Sequence, residues 1–451
     1  MTNELERDDA GQTQARLADL AREVLARCRA RGASQAEVDL SDERGLSAGV
    51  RMGEVETIEY TRDRGLSLTV YFGTRKASAS TADLDPGSIG ATIEQACAIA
   101  RHTEDDPCAG LADAARMGTR FPDFDLWHPT PLDADAAIAR AMACEAAGRA
   151  ADARITNSEG ASVSQSQSIG VYANSHGFLG AECGTSHGLS LSLIAGEGEA
   201  MQRDYWYDGH CHPDALASPE TVGQRAAART VARLSPRAAP TGSFPVLYSA
   251  EVARSLIGHL LGAVSGGALY RRASFLLDHL GQPVLPRGVH LIERPHLLRG
   301  HRSAAFDAEG VATVESALVD DGVLVRYLLG SYSARKLGME STANAGGVHN
   351  LEISTGRDDL PALLRGMGRG LLVTELMGQG VNAITGDYSR GAAGFWVEGG
   401  EIAYAVDEAT IAGNLKEMLL GIEAIGRDVD PRSHIATGSI LIGRMTVAGG
   451  E

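Results

Sequence analysis

The sequence has few aromatic residues, no long apolar run and no excess of positive charge. Phe, Trp and Tyr make up 5% of the 451 residues. No window of about 20 apolar residues occurs, so no transmembrane helix is expected. Lys and Arg total 41 against 58 Asp and Glu, a formal net charge of −17. Binding to a polyanion needs a basic footprint, so direct nucleic-acid contact is not expected. The six cysteines (Cys28, Cys97, Cys108, Cys144, Cys183, Cys211) show no C-x-x-C spacing. They read as free, mostly buried thiols in a reducing compartment and not as a disulfide framework. There is no Walker A sequence, and the glycine clusters at 366–370 and 378–380 lack a following lysine or a dinucleotide fingerprint. The opening MTNELERDDAGQ has neither the basic region nor the apolar core of a signal peptide. The expected location is the cytoplasm.

Hydrophobic residues make up 44% of the chain and charged residues 22%. These are values of an ordinary globular protein with room for two or three domains. Glycine is abundant, at 54 residues. The first dozen residues read as disordered. Residues 14–31 follow as an amphipathic helix with Leu17, Leu20, Val24 and Cys28 on one side. From Ala36 to Thr81 the pattern switches to period two, in five short segments separated by polar turns, which is a β-meander. Gly87–Arg101 closes the unit as a helix. The Asp- and Pro-rich stretch 104–130 reads as a linker. A second helix–strands–helix unit follows: Asp133–Ala147, ended by Gly148; strands over 154–206 with turns at Asn157–Gly160 and His176-Gly177; and helix Ser218–Leu234.

Past a boundary at 235–243, strands and helices are interspersed. Strands are expected at 245–248, 289–293, 311–319, 323–329, 371–377, 381–386, 393–398, 401–405 and 438–448. Asp320-Asp321-Gly322 and Glu398-Gly399-Gly400 read as hairpin turns. Helices are expected at 332–337, 360–367 and 412–425. The fold class is α+β: helix/β-meander/helix units, then a mixed, mainly antiparallel, β-rich C-terminal domain with packed helices. The expected domains are 1–125, 126–237 and 238–451.

Ala250–Arg272, AEVARSLIGHLLGAVSGGALYRR, is the most informative stretch. Ser249 suits an N-cap, and Glu251 in the first turn suits the helix dipole. Leu256, Ile257, Leu260, Leu261 and Val264 recur at helical spacing, so a buried helix is expected. Gly258, Gly262 and Gly266 recur every four residues, at roughly 1 kcal/mol each in a helix interior. The plain reading is a glycine ridge for tight helix packing; the alternative is close approach to a ligand.

This stretch resembles the TldD/PmbA family in its PmbA (TldE) branch. So do YRRASFLLDHLG at 270–281, FDAEGV at 306–311, SYSARKLGM at 331–339, TELMGQGVNAITGDYSRGAAGFWVE at 374–398 and IAGNLKEM at 411–418. The N-terminal half fits more loosely. The peptidase branch of that family carries a His-Glu-x-x-x-His zinc motif on the corresponding helix. Laid onto this chain, its histidines fall at Gly258 and Ala263 and its glutamate at His259. The family's third ligand, a cysteine, falls at about Thr437. A catalytic zinc needs three protein ligands and an open position; glycine and alanine donate nothing, and His259 alone cannot hold the metal. The resemblance therefore implies no metal and no catalytic residue in this chain. It implies a TldD-like partner that supplies zinc and the general-base glutamate, unstructured peptides and small proteins as substrates, and a dimeric assembly. The family has also been called a modulator of DNA gyrase. With a net charge of −17, any such effect would run through proteins.

Several side chains are candidates for lining a peptide cavity. His259 is either a hydrogen-bonding group there or a satisfied core histidine. Tyr270 and Arg271, with Arg272, could meet a peptide carboxylate; an ion pair at the helix end is the alternative. Asp387, Tyr388 and Arg390 fall in what reads as a polar loop, either a binding loop or one stapled by an Asp387–Arg390 pair. His210, Cys211 and His212 are three possible metal ligands in a row, or polar surface. G-x-S-x-G occurs around Ser47 and Ser186, but both lie inside meanders, where a nucleophile elbow needs strand then helix. Three functions follow. The first is a non-catalytic, cavity-forming subunit of a heteromeric peptidase. The second is a peptidase in its own right through unrecognised ligands such as His210, Cys211, His212, His296, His301 or His349. The third is a homodimeric peptide-binding protein.

Overall fold

The computed structural model describes residues 2–450, with side chains from Ala10 onward. Its first half is built on long strands with alternate apolar residues. On β1 (Gln35–Arg51), Ala36, Val38, Leu40, Leu46, Ala48 and Val50 face the same way and are buried. α1 (Thr2–Ala30) precedes it, and β2 (Glu54–Phe72), β3 (Arg75–Thr81) and α2 (Pro86–Ala100) follow. The second unit consists of α3 (Ala134–Ala150), β4 (Ile155–Asn174), β5 (Leu179–Ala195), β6 (Gln202–His210) and α4 (Pro219–Ala232). β1 pairs with both β2 and β4, so the two units share one antiparallel sheet in the order β3-β2-β1-β4-β5-β6. Helices α1 and α2 cover one end of a face, around Val38, Leu40 and Leu68. Helices α3 and α4 cover the other end of that face, around Leu46, Leu191 and Trp206. The opposite face carries small polar residues, including Ser164, Ser166, Ser168, Gly184 and Ser186.

Four expectations for this half are corrected. The turn read at Asn157–Gly160 lies inside β4, at an irregularity in its pairing with β5. Helix α1 begins at Thr2 and not near residue 14, so the first dozen residues are not a disordered segment; Met1 lies outside the described residues. The charged tetrads at 42–45 and 62–65 are not turns but the middles of β1 and β2. Asp42, only 3% exposed, sits in the gap between the two helix pairs, 3.2 Å from Arg16 and 3.0 Å from Arg64. Charges that read as a turn are thus satisfied across strands and from α1. Gly148 does not end α3; it lies inside the helix where α3 crosses α4. A Cβ there would come within 3.1 Å of the Gly223 carbonyl, so the two glycines let the backbones meet.

The C-terminal half opens with β7 (Gly242–Tyr248), α5 (Ala250–Ala263) and α6 (Gly266–Tyr270). The single helix expected over 250–272 breaks at Val264 and Ser265. Ser265 caps the second piece by accepting from the Ala268 amide. Next come β8 (Leu291–Glu293), β9 (Ser316–Asp320), β10 (Val323–Leu324), α7 (Ser331–Leu337), β11 (Leu351–Ile353) and α8 (Leu360–Met367). β12 (Gly370–Met377), β13 (Asp387–Glu398), β14 (Glu401–Asn414), α9 (Leu415–Leu420), β15 (Ile422–Ile425), β16 (Ile435–Ala436) and β17 (Ile440–Ala448) complete the chain.

A small sheet runs β10-β9-β8-β11-β16. A larger one runs β14-β13-β12-β7-β17-β15. β14 also pairs with β17, so the larger sheet closes on itself. Its core holds Tyr248, Trp396, Ile411 and Val447 against Leu256, Ile257 and Leu260 of α5. Each fully buried Leu or Ile contributes about 1.5–3 kcal/mol. Asp321 and Gly322 both have positive φ (47° and 80°), as the expected hairpin turn requires. Further expectations fail: of the strands read at 311–319 and 323–329 only Ser316–Asp320 and Val323–Leu324 form. Residues 381–386 form turns and not a strand, and the helix expected at 412–425 is a strand end, a six-residue helix and another strand. Asn414, the last residue of β14, caps α9 by accepting from the Lys416 amide. The architecture is α+β with sheets dominated by antiparallel pairing.

Candidate functional site

Helix α5 follows β7 with no intervening loop. The Ser249 amide donates to the Val373 carbonyl (3.0 Å) and the Ala250 amide to Ser439 Oγ (3.1 Å), which pins the helix start to β12 and to the residue just before β17. Gly258 and Gly262 do not pack as a ridge: a Cβ on either would meet no heavy atom within 4 Å outside the helix's own backbone. Only Gly266, on α6, is pressed against a neighbour, Ser333 of α7. The backbone of α5 is therefore bare along its Gly258–Gly262 face.

His259 lies beside this bare face, half-buried, with Nε2 enclosed and without a hydrogen-bond partner. Its ring stands edge-on to Tyr388, centroids 5.9 Å apart. Burial first, and then the Arg390 guanidinium, lower its pKa, so it stays neutral. Ala263 and Thr437 are buried, 3% and 1% exposed. Of the four motif positions only His259 bears a donor that binds metal. Among the described residues, no group of three or more His, Cys, Asp or Glu is arranged to hold a metal ion. The residues present do not fit the family's zinc.

Asp387–Gly391 is not a loop but the start of β13. Alternation sends Tyr388 and Arg390 inward together and Asp387 outward. No Asp387–Arg390 staple forms. Asp387 accepts instead from Thr385 Oγ1 (2.6 Å). Tyr388 is 2% exposed, its hydroxyl enclosed beside the Tyr248 hydroxyl and the Arg390 guanidinium. Arg390 Nε is enclosed and unbonded, and Arg390 makes no ion pair among the described residues. His259, Tyr388 and Arg390 thus come together, although the sequence places them about 130 residues apart. Tyr270 and Arg271 sit elsewhere, at the end of α6; Arg271 Nη1 donates to the Tyr270 hydroxyl (3.2 Å), and among the described residues no helix-end ion pair forms. The His210 and His212 ring nitrogens accept from the backbone amides of His212 and Asp214, so both are used in a local turn. His296, His301 and His349 are held separately by Thr313, the Pro431 carbonyl and Glu293. Ser47 and Ser186 lie inside β1 and β5, with no nucleophile elbow.

Two features were not found in the sequence. One is a run of three adjoining cavities, about 490, 360 and 580 Å³, between the polar sheet face and the C-terminal half. Ser166, Ser168 and Gly170 line its sheet side, Phe121 and Phe306 its opposite wall, and Gly262 and Tyr270 its far end. Two carboxyls face it. Glu182 is reachable by solvent yet walled in, and burial pushes its pKa to about 7. Burial raises Asp307 to about 6 despite three backbone amides that favour its charge. The other feature is an ion network between the halves. Asp204 of β6, 5% exposed, receives Arg229 (3.3 Å) and Arg233 (2.8 Å); Arg229 also reaches Glu251 of α5 (2.9 Å) and Arg233 reaches Glu375 of β12 (2.6 Å). Trp206 lies between Arg225 and Arg432, each 3.8 Å from its ring centroid. The spacing of Arg225 and Arg229 on α4 and Arg233 at its C-cap, four residues apart, was the one legible signal.

Comparison with known proteins gives the family. Residues 241–449, 127–234 and 36–100 match the C-terminal, central and first domains of the PmbA/TldA metallopeptidases. The chain is 50% identical to Metalloprotease PmbA of Escherichia coli O157:H7 over 415 residues, 92% of each chain. It is 48% identical to a Metalloprotease PmbA homolog of Haemophilus influenzae over 93% of each. A crystal structure from Bacteroides thetaiotaomicron, described as a candidate modulator of DNA gyrase, superposes with TM-score 0.90 at 28% identity, covering 96% of this chain and 98% of that one. TldE from Thermococcus kodakarensis shares the fold, with TM-score 0.83 at 20% identity over 95% and 100% of the two chains. The chain belongs to the PmbA/TldD metallopeptidase family.

Proposed function

We propose that this chain is the non-catalytic, cavity-forming subunit of a heteromeric TldD–TldE-type zinc peptidase that processes unstructured peptides and small proteins. One observation carries the reading: the positions of the family's metal motif hold Gly258, His259, Ala263 and Thr437, and the described residues contain no substitute cluster. A TldD-like chain would bring the zinc and the general base. The elongated groove, floored by small polar residues of β4 and β5, suits an extended peptide, which main-chain contacts bind without regard to sequence. The bare Gly258–Gly262 face suits close approach by a second backbone, from substrate or partner. Six free thiols suit a cytoplasmic setting.

The test mixes the purified chain with a TldD-like chain from the same source and follows cleavage of an unstructured peptide. The expected result is cleavage by the mixture and none by this chain alone. Equal cleavage by the TldD-like chain with and without this one would remove the accessory role.

A further inference from the structure

A fourth cavity, about 300 Å³, opens along the first turns of α5, where α5, β12 and β13 meet β6 and α4. Its walls hold Arg229, Arg233, Arg254, Arg390 and Arg432 against Asp204, Glu251 and Glu375, five positive charges to three negative. That surplus stands out in a chain whose net charge is −17. Three of the arginines are already matched: Arg229 and Arg233 by the carboxylates above, Arg432 by Asp430 at 2.8 Å. The other two are not. Arg254 donates to the Tyr207 hydroxyl (3.1 Å) and has no carboxylate partner among the described residues. Arg390 has none either. Arg390 and Thr374 both line this cavity; the Arg390 Nε and the Thr374 hydroxyl are enclosed in its wall without a hydrogen bond, and the rest of the Arg390 guanidinium faces the Tyr388 hydroxyl. Two unmet donors in the wall of one small cavity suit an acceptor, because a buried donor without a partner is unfavourable. Beside two unpaired guanidiniums the acceptor that fits is an anion with planar oxygens, a carboxylate.

The helix gives the ligand a direction. Arg254, Gly258 and Gly262 lie on one side of α5 at i, i+4 and i+8. The bare glycines therefore run from the arginine-lined cavity to the far end of the interdomain groove, which Gly262 also lines. We infer that this cavity is a carboxylate subsite: an extended peptide lies over the Gly258–Gly262 backbone with a carboxylate held by Arg254 and Arg390. The inference rests on the peptide-handling role proposed above and adds to it the group of the peptide that is gripped. The C-terminal carboxylate and an Asp or Glu side chain share this chemistry, and the experiment separates the two sources.

The experiment measures binding of a labelled unstructured peptide to the full chain. The peptide is compared as C-terminal acid and C-terminal amide, and with an internal Asp or Asn. Hydrogen bonds to a charged group predict that the acid binds about tenfold tighter or more. Arg254→Met and Arg390→Lys should each cut that acid-over-amide preference. Arg390→Lys keeps the charge and guards against misfolding, which the melting temperature reports. A preference that follows internal Asp over Asn, lost in the same variants, assigns the subsite to side chains. Equal affinity of acid and amide and of Asp and Asn peptides, or a preference that survives both substitutions, overturns the subsite. Cleavage by the mixture with the TldD-like chain is read separately, so the subsite can fail while the accessory role stands.

Discussion

The bare glycines of α5 make a prediction that sets stability against function. Glycine is worse than alanine in a helix interior by about 1 kcal/mol, because it loses more backbone entropy. A Cβ at Gly258 meets nothing within 4 Å beyond the helix itself, so Gly258→Ala has no packing penalty to offset that gain. The substitution should therefore stabilise the isolated chain by about 1 kcal/mol. If the domain at 241–449 melts as one unit, that is a rise of about 2–4 °C in its midpoint. Gly266→Ala is the control in the opposite direction, since its Cβ would collide with the Ser333 side chain; such overpacking costs about 1–3 kcal/mol. Thermal unfolding followed by circular dichroism on the two variants reads both signs. The same Gly258→Ala protein, mixed with the TldD-like chain, should cleave peptide more slowly, because the new methyl group occupies the approach to the backbone. A destabilised Gly258→Ala chain would refute the reasoning, since the face would then be packed against something in the isolated protein. A stabilised chain with unchanged cleavage would leave the helix bare but without a partner.

Gly223→Ala should destabilise by up to about 3 kcal/mol, because its Cβ would run into the Cys144 carbonyl and lie 2.8 Å from the Gly148 amide nitrogen; chemical denaturation that finds it neutral would mean α3 and α4 are further apart than described. Asp204→Asn leaves two guanidiniums short of a charge partner at a site 5% exposed. Each keeps a second carboxylate, so the loss falls at the low end for a broken buried pair, about 3 kcal/mol, and should appear in the denaturant midpoint. Glu182 is held at about 7, above its ordinary 4.5, so the folded chain binds more protons there than the unfolded chain. Its contribution to stability falls as pH rises through that window. Glu182→Gln should raise the melting temperature relative to wild type above pH 7 and bring no gain near pH 4; an equal gain at both would place the cause outside its ionisation.

The period-two pattern carried most of the N-terminal sheet, because each strand buries one face under helices and leaves the other polar. What it missed were strand lengths. Asp42 and Arg64 look like turn residues until their partners, one on α1 and one on the neighbouring strand, are known. Gly148 misled in the same way: a glycine that ends a helix and a glycine that lets two helices touch read alike until Gly223 is placed opposite. The DYSRG segment read as a loop because its charges hide an alternation that sends Tyr388 and Arg390 inward. The candidate site was legible in part. His259, Tyr388 and Arg390 were each singled out, but their convergence depends on β13 lying against α5, which no local pattern encodes. Arg254 went unnoticed because an arginine in the first turns of a helix is ordinary until the cavity beside it is seen.

The account turns on whether this chain holds the metal of its family. The most direct measurement is the zinc content of the isolated, full-length chain after dialysis against trace zinc, with chelator-sensitive cleavage of an unstructured peptide followed on the same sample. The account predicts no stoichiometric zinc and no cleavage. One zinc per chain with chelator-sensitive turnover would contradict it, and would mean that ligands other than the residues at 258, 259, 263 and 437 build a catalytic site in this protein.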